Sequence, residues 1–156
     1  MVRIPSSNSF IVILCNSSPT DFFGIVGSLA KVLYNKPVTV KQPVHKAMES
    51  IIGKEGTAKA VEAYHRMKKD SAHYYIDWIS LDFLGNKLYD LKRYEEARIL
   101  FENNAAEFPQ KDLALMSLAK TYEVLGRKQD AIIWYKKVLQ ISPKFEEARN
   151  RLKVLE

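Results

Sequence analysis

The chain has 156 residues, enough for one ordinary domain or a short repeat array, and its composition of 47% hydrophobic and 27% charged residues is that of a globular protein. The formal net charge of +6 is spread evenly: residues 1–56 carry 6 Lys/Arg against 3 Asp/Glu, and residues 57–156 carry 18 against 15. A nucleic-acid-binding face needs clustered positive charge, which this sequence lacks. We therefore expect no nucleic-acid partner.

Other site classes are also excluded. Cys15 is the single cysteine, so there is no internal disulfide framework. No apolar run approaches the ~20 residues of a membrane-spanning helix. The histidines His45, His65 and His73 match no metal-ligand spacing. We expect no metal ion, no cofactor and no membrane association.

The first residues predict one strand followed by one helix. Residues 10–15 are β-branched or aromatic and precede the turn-forming residues 16–19, which is typical of a buried strand. Residues 20–34 then show a helical apolar pattern after Thr20-Asp21, a capping signal. The sequence offers this strand no convincing partner, so segment 1–35 is expected either to belong to something larger or to self-associate through its strand and helix.

Residues 36–43 form an extended linker between two prolines, and the chain then turns helical. Helices are predicted over 44–53 and 57–70, with Gly53 and Gly56 as the break between them. We interpret 44–70 as a degenerate first repeat.

Residues 78–145 contain two copies of one pattern, 34 residues apart. Helices are predicted at 78–91 and 94–107 in repeat 78–111, and at 112–125 and 128–141 in repeat 112–145. A final helix over 144–155 alternates apolar and charged residues, as a solvated cap does. The matching pairs are Leu81 and Leu115, Leu84 and Leu118, Leu91 and Leu125, Ala97 and Ala131, Phe101 and Tyr135, and Pro109 and Pro143.

A period of 34 with these residues resembles the tetratricopeptide repeat. The family's landmark positions read Leu81, Leu84-Gly85, Leu88, Ala97, Phe101 and Pro109, then Leu115, Leu118-Ala119, Tyr122, Ala131, Tyr135 and Pro143. The fold class expected for 44–156 is therefore an all-α helix-turn-helix array with a capping helix, preceded by one short strand and one helix.

A second resemblance covers residues 1–43. Arg3-Ile-Pro, Asn8, the run from Phe10 to Asn16 and a helix ending at Val32-Leu-Tyr-Asn-Lys-Pro37 look like the C-terminal end of a serine β-lactamase-like hydrolase domain. Some members of that family continue into tetratricopeptide repeats. This resemblance implies an alternative function, an accessory C-terminal part of a hydrolase with its catalytic residues outside this chain. The chain is expected to be cytoplasmic as it stands and exported if it belongs to such an enzyme.

The hydrolase family needs an S-x-x-K nucleophile with further motifs. The strings Ser28-Leu-Ala-Lys31 and Ser117-Leu-Ala-Lys120 occur, but each lies within a predicted helix and lacks a positioned base. We therefore expect no catalytic residue in this chain.

The remaining expectation is a binding surface for a protein or peptide. In tetratricopeptide arrays the first helix of each repeat lines a concave groove. The resemblance assigns eight residues to it, which we call the first-helix surface: Ile79, Asp82, Asn86, Tyr89, Leu113, Met116, Lys120 and Glu123. Asp82 stands where one subgroup of the family uses a lysine to grip a terminal carboxylate, so that ligand is not expected. An alternative is that this surface packs against helix 20–34 or against the hydrolase domain.

Overall fold

The computed structural model describes residues 2–4, 9–11, 28–29, 31–32, 34 and 41–156. This described part is mostly helical, with a short strand pair at its N-terminal end, so the expected all-α class is confirmed. Residues 28–29 and 31–32 are helical. The helices with defined bounds are α1 (Val44–Glu55), α2 (Thr57–Met67), α3 (Trp78–Asp90), α4 (Tyr94–Glu107), α5 (Asp112–Val124), α6 (Lys128–Ile141) and α7 (Glu146–Leu155).

The helix boundaries follow from local chemistry. Asp77 caps α3, since its Oδ1 accepts a hydrogen bond from the Ser80 backbone N–H at 2.5 Å. Gly126 follows the end of α5 with φ of +72°, a left-handed conformation that glycine adopts without steric cost. The expectation that both Gly53 and Gly56 break the first helix was half wrong. Gly56 has φ of +89° and ends α1, whereas Gly53 lies inside the helix.

The N-terminal strands correct the expectation of an unpaired strand. Strand β1 (Val2–Ile4) pairs antiparallel with β2 (Ser9–Ile11), with Val2 opposite Ile11. The partner lies upstream of the predicted strand, in residues too few to show a strand pattern. Residues 12–15 of the predicted strand lie outside the described residues.

A second strand pair joins two segments expected to be connectors. Strand β3 (Gln42–Pro43) runs parallel to β4 (Tyr74–Tyr75), and the Gln42 N–H donates to the His73 carbonyl at 2.8 Å. This contact holds the end of the linker against the turn that follows α2.

One hydrophobic core runs through all three helix pairs. Four of the apolar pairs matched at 34-residue spacing fill equivalent places in it: Leu81 and Leu115, Leu84 and Leu118, Ala97 and Ala131, and Phe101 and Tyr135 are all buried. The fifth pair does not, since Leu91 is 59% exposed and Leu125 is half-buried. Val44, Met48, Ala60 and Tyr64 are buried in the same cluster. Residues 44–67 are therefore part of the array rather than a separate unit.

Most successive helices of the array pack against one another. Each first helix contacts its own second helix, and α1 also contacts α3 while α3 contacts α5. Helix α7 packs on α6 and buries Ala148. None of the described helices is long and apolar enough to cross a membrane. This order places α1, α3 and α5 side by side on one face.

Candidate binding surface on the first helices

Two apolar side chains stand exposed at equivalent positions of the two repeats. Ile79 is 45% exposed near the start of α3, and Leu113 is 49% exposed near the start of α5. They are 34 residues apart, the spacing that buries their neighbours Leu81 and Leu115. The 34-residue period therefore places core leucines on one side of α3 and α5 and an exposed apolar residue on the other side of each helix.

One turn further along α3 lies a polar pair. The Asn86 side-chain amide donates to Asp82 Oδ2 at 2.7 Å and to the Asp82 carbonyl at 2.9 Å. Asp82 Oδ1 is buried and receives no hydrogen bond of normal geometry. Burial raises the pKa of the Asp82 carboxyl, against the opposing effects of the Ser117 hydroxyl and the Asn86 amide. The carboxylate is thus held where its charge is poorly compensated.

The far end of the surface is a cavity of about 280 Å³ between α3, α5, α6 and α7. It brings together three of the predicted residues, Tyr89, Lys120 and Glu123. The other lining residues are Val124, Tyr135, Glu147 and Arg151. Two ion pairs cross it: Lys120 Nζ lies 2.6 Å from Glu147, and Arg151 Nε donates to Glu123 Oε2 at 3.1 Å. Because both pairs join α5 to α7, they anchor the last helix while leaving the cavity without excess charge.

The two tyrosines of this cavity, Tyr89 and Tyr135, have hydroxyl groups whose pKa is raised. Tyr135 is fully buried, and its hydroxyl donates to Glu123 Oε2 at 2.7 Å. Burial raises the pKa of Tyr135 to about 12, with the nearby Glu147 and Tyr89 adding to the effect. Burial is also the main cause that raises the pKa of Tyr89. The Tyr89 ring stands edge-on to the ring of Tyr94, with centroids 5.0 Å apart. Both groups therefore act as neutral hydrogen-bonding side chains at ordinary pH.

Met116 does not belong to this surface. The expectation of an exposed, adaptable methionine was wrong, because Met116 is only 3% exposed and sits in the hydrophobic core cluster. Its register position matches that of Asp82, so the repeat pattern alone did not distinguish a buried side chain from a half-buried one.

Phe83 was missed as a surface residue. Its ring is 54% exposed, and its centroid lies 5.4 Å from that of His45 on α1. The i, i+4 spacing from Ile79 was a signal that could have found it. Tyr135, Glu147 and Arg151 gave no such signal, since they reach the cavity from α6 and α7 only through the tertiary packing.

The second S-x-x-K string falls on this surface. Lys120 is paired with Glu147, and the Ser117 carbonyl accepts a hydrogen bond from Thr121 Oγ1 at 2.8 Å. The Ser117 hydroxyl acts on the Asp82 carboxyl of the neighbouring helix. Of the first string, Ser28 is half-buried and Lys31 is exposed. Within the described ranges, no group of three or more His, Cys, Asp or Glu residues is arranged to hold a metal ion.

The alternative in which helix 20–34 covers this surface falls largely outside the described residues. Of that helix, Leu29 and Val32 are described, and both are exposed.

Comparison of the chain with models of known protein families and with curated proteins found no match.

Proposed function

We propose that this chain is a non-catalytic protein-interaction module of tetratricopeptide-like repeats that binds a peptide segment on its first-helix surface. The observation that carries the proposal is the exposed pair Ile79 and Leu113. Exposed apolar side chains are common one at a time, but this pair recurs at equivalent positions of two helices that contact each other.

Phe83 extends this pair toward α1, and the adjoining cavity supplies hydrogen-bonding groups from Tyr89 and Glu123. An apolar strip bordered by polar groups is the general composition of a protein-binding surface. A binding role also explains why position 113 of the second repeat is leucine, since solvent exposure alone favours a polar residue there.

The test uses the whole chain as bait for a phage-displayed library of random linear peptides. The wild type should enrich peptides that bind in fluorescence polarisation. The double variant I79E/L113E should lose that binding, because each glutamate carries a charge into the apolar pair. The matched control is I133E, since Ile133 is 51% exposed on α6, away from the first helices.

Retained binding by I79E/L113E, or equal loss in I133E, contradicts the proposal. So does the absence of any enriched peptide. Circular dichroism of all variants separates lost binding from lost folding.

A second candidate function is an accessory part of a serine β-lactamase-like hydrolase. The observation that favours it is the pairing of β1 with β2, since two strands of three residues each are marginally stable unless they belong to a larger sheet. An in-frame S-x-x-K and tyrosine motif upstream in the coding sequence supports this candidate. A stop codon immediately upstream of Met1 sinks it.

A further inference from the structure

Of the three charged residues on the first-helix surface, Lys120 and Glu123 are ion-paired and Asp82 is not. Glu49 of α1 pairs with Lys87 of α3, Lys120 pairs with Glu147, and Glu123 pairs with Arg151. Among the residues that the structure describes, Asp82 has no basic group within ion-pairing distance. The Asp82 carboxylate therefore stands without a cation on this surface.

This unpaired charge is held at a cost to the fold. Its Oδ1 atom is buried without a hydrogen bond of normal geometry, and the groups that act on the carboxylate, the Asn86 amide and the Ser117 hydroxyl, are both neutral. Burial also raises the pKa of Asp82, which means that the ionised form is less favourable here than in the unfolded chain. A partly buried carboxylate that lowers stability and has no cation beside it is a candidate for binding rather than for folding.

The flanking groups show what kind of side chain this charge suits. Ile79 and Phe83 lie within one turn of Asp82 on α3, and Leu113 lies on the neighbouring helix. An isolated negative charge beside apolar groups complements a cation with an apolar stem, which is the chemistry of lysine and arginine side chains.

We propose that the first-helix surface binds a peptide segment in which a lysine or arginine, seated at Asp82 and Asn86, is flanked by apolar residues on Ile79, Phe83 and Leu113. This inference rests on the proposed function and adds the chemistry of the partner. The basic group reaches the exposed side of the Asp82–Asn86 pair, and its charge offsets the carboxylate that the fold leaves unpaired.

The experiment repeats the peptide selection with wild type and with D82N. The wild type should enrich peptides with a basic residue between apolar ones, whereas D82N should keep the apolar positions and lose the basic preference. D90N is the matched control, because Asp90 lies exposed at the end of the same helix. It should select the same peptides as the wild type.

Fluorescence polarisation then gives the coupling between the two charges. Replacing the basic residue of the enriched peptide by norleucine should weaken wild-type binding on the order of tenfold and D82N binding far less. Enriched peptides without a basic preference, or an equal loss in both proteins, overturn this inference and leave the proposed function standing. If no peptide is enriched, or I79E/L113E binds as well as wild type, the proposed function itself fails.

Discussion

Replacing Gly85 by alanine puts a methyl group where the ring of Phe101 already lies. A Cβ built on Gly85 falls 2.4 Å from Phe101 Cε1, 2.7 Å from Cζ and 2.8 Å from Cδ1. These distances are far inside van der Waals contact, and Phe101 is fully buried, so the ring has no solvent-filled space to move into. Either the ring or the two helices must shift.

The expected cost follows from two opposing effects. Overpacking a core typically destabilises by about 1–3 kcal/mol, and a clash with three ring atoms belongs at the upper end. Alanine offsets about 1 kcal/mol of this through its better helix propensity. We therefore expect G85A to lower the free energy of unfolding by about 2 kcal/mol and the Tm by about 4–8 °C.

The matched control is G53A. Gly53 also lies inside a helix, but a Cβ there meets no atom within 4 Å. The propensity effect then acts alone, and G53A should gain up to about 1 kcal/mol. Urea unfolding followed by circular dichroism at the helix band measures both variants.

A double-mutant cycle identifies the cause. In the F101L background the planar ring is gone, so G85A should become neutral or stabilising. If G85A is as stable as G53A, or if its cost is unchanged in F101L, the close approach of Gly85 to Phe101 does not control the packing of α3 on α4.

Three further outcomes can be measured on the same purified chain. Lys92 holds φ of +61° at the position where the next repeat has Gly126, so K92G should stabilise by about 0.5–1 kcal/mol in urea unfolding, and an unchanged midpoint contradicts this. D82N should be more stable than wild type by up to about 1 kcal/mol at pH 7. The raised pKa of Asp82 means that its ionised form lowers the stability of the fold, and this form is absent at low pH. The gain in D82N should therefore vanish at pH 3, and a D82N that is less stable than wild type at pH 7 refutes the reasoning. Burial raises the pKa of both Tyr122 and Tyr135 to about 12, so these phenols stay protonated in the fold while the unfolded chain ionises near pH 10. The stability that these two phenols contribute should therefore be fully present below pH 10 and fall as the pH rises toward 12. In an absorbance titration, some tyrosines of the folded wild type should ionise well above pH 10, and fewer should do so in Y135F.

Helix positions in the array could be read directly from the sequence. The bounds of α4 and α6 were predicted to the residue, and those of α3 and α5 to within one residue. The reason is that helix limits depend on local features such as the Asp77 cap, the left-handed Gly126 and the prolines after α4 and α6. Most core positions were also predictable, since a period of 34 repeats most of the same buried face, with Leu91 and Met116 as the exceptions.

The content of the binding surface was only partly predictable. The family resemblance assigned Ile79, Leu113 and Met116 to the surface; the first two are exposed, but Met116 is buried, and Phe83 was missed. Exposure depends on how closely neighbouring helices approach, and that distance is set by packing across the array rather than by position within one repeat.

Composition and periodicity by themselves determined that this protein is a helical array with an even spread of charge, because both depend on residue type and spacing alone. Tertiary structure decided which charges find a partner. Lys120 and Glu123 meet Glu147 and Arg151 only because α7 lies against α6, whereas Asp82 is left without a basic neighbour among the described residues. Ion pairing acts over a few ångströms between side chains distant in sequence, so no pattern along the chain could reveal that Asp82 stays without a cation.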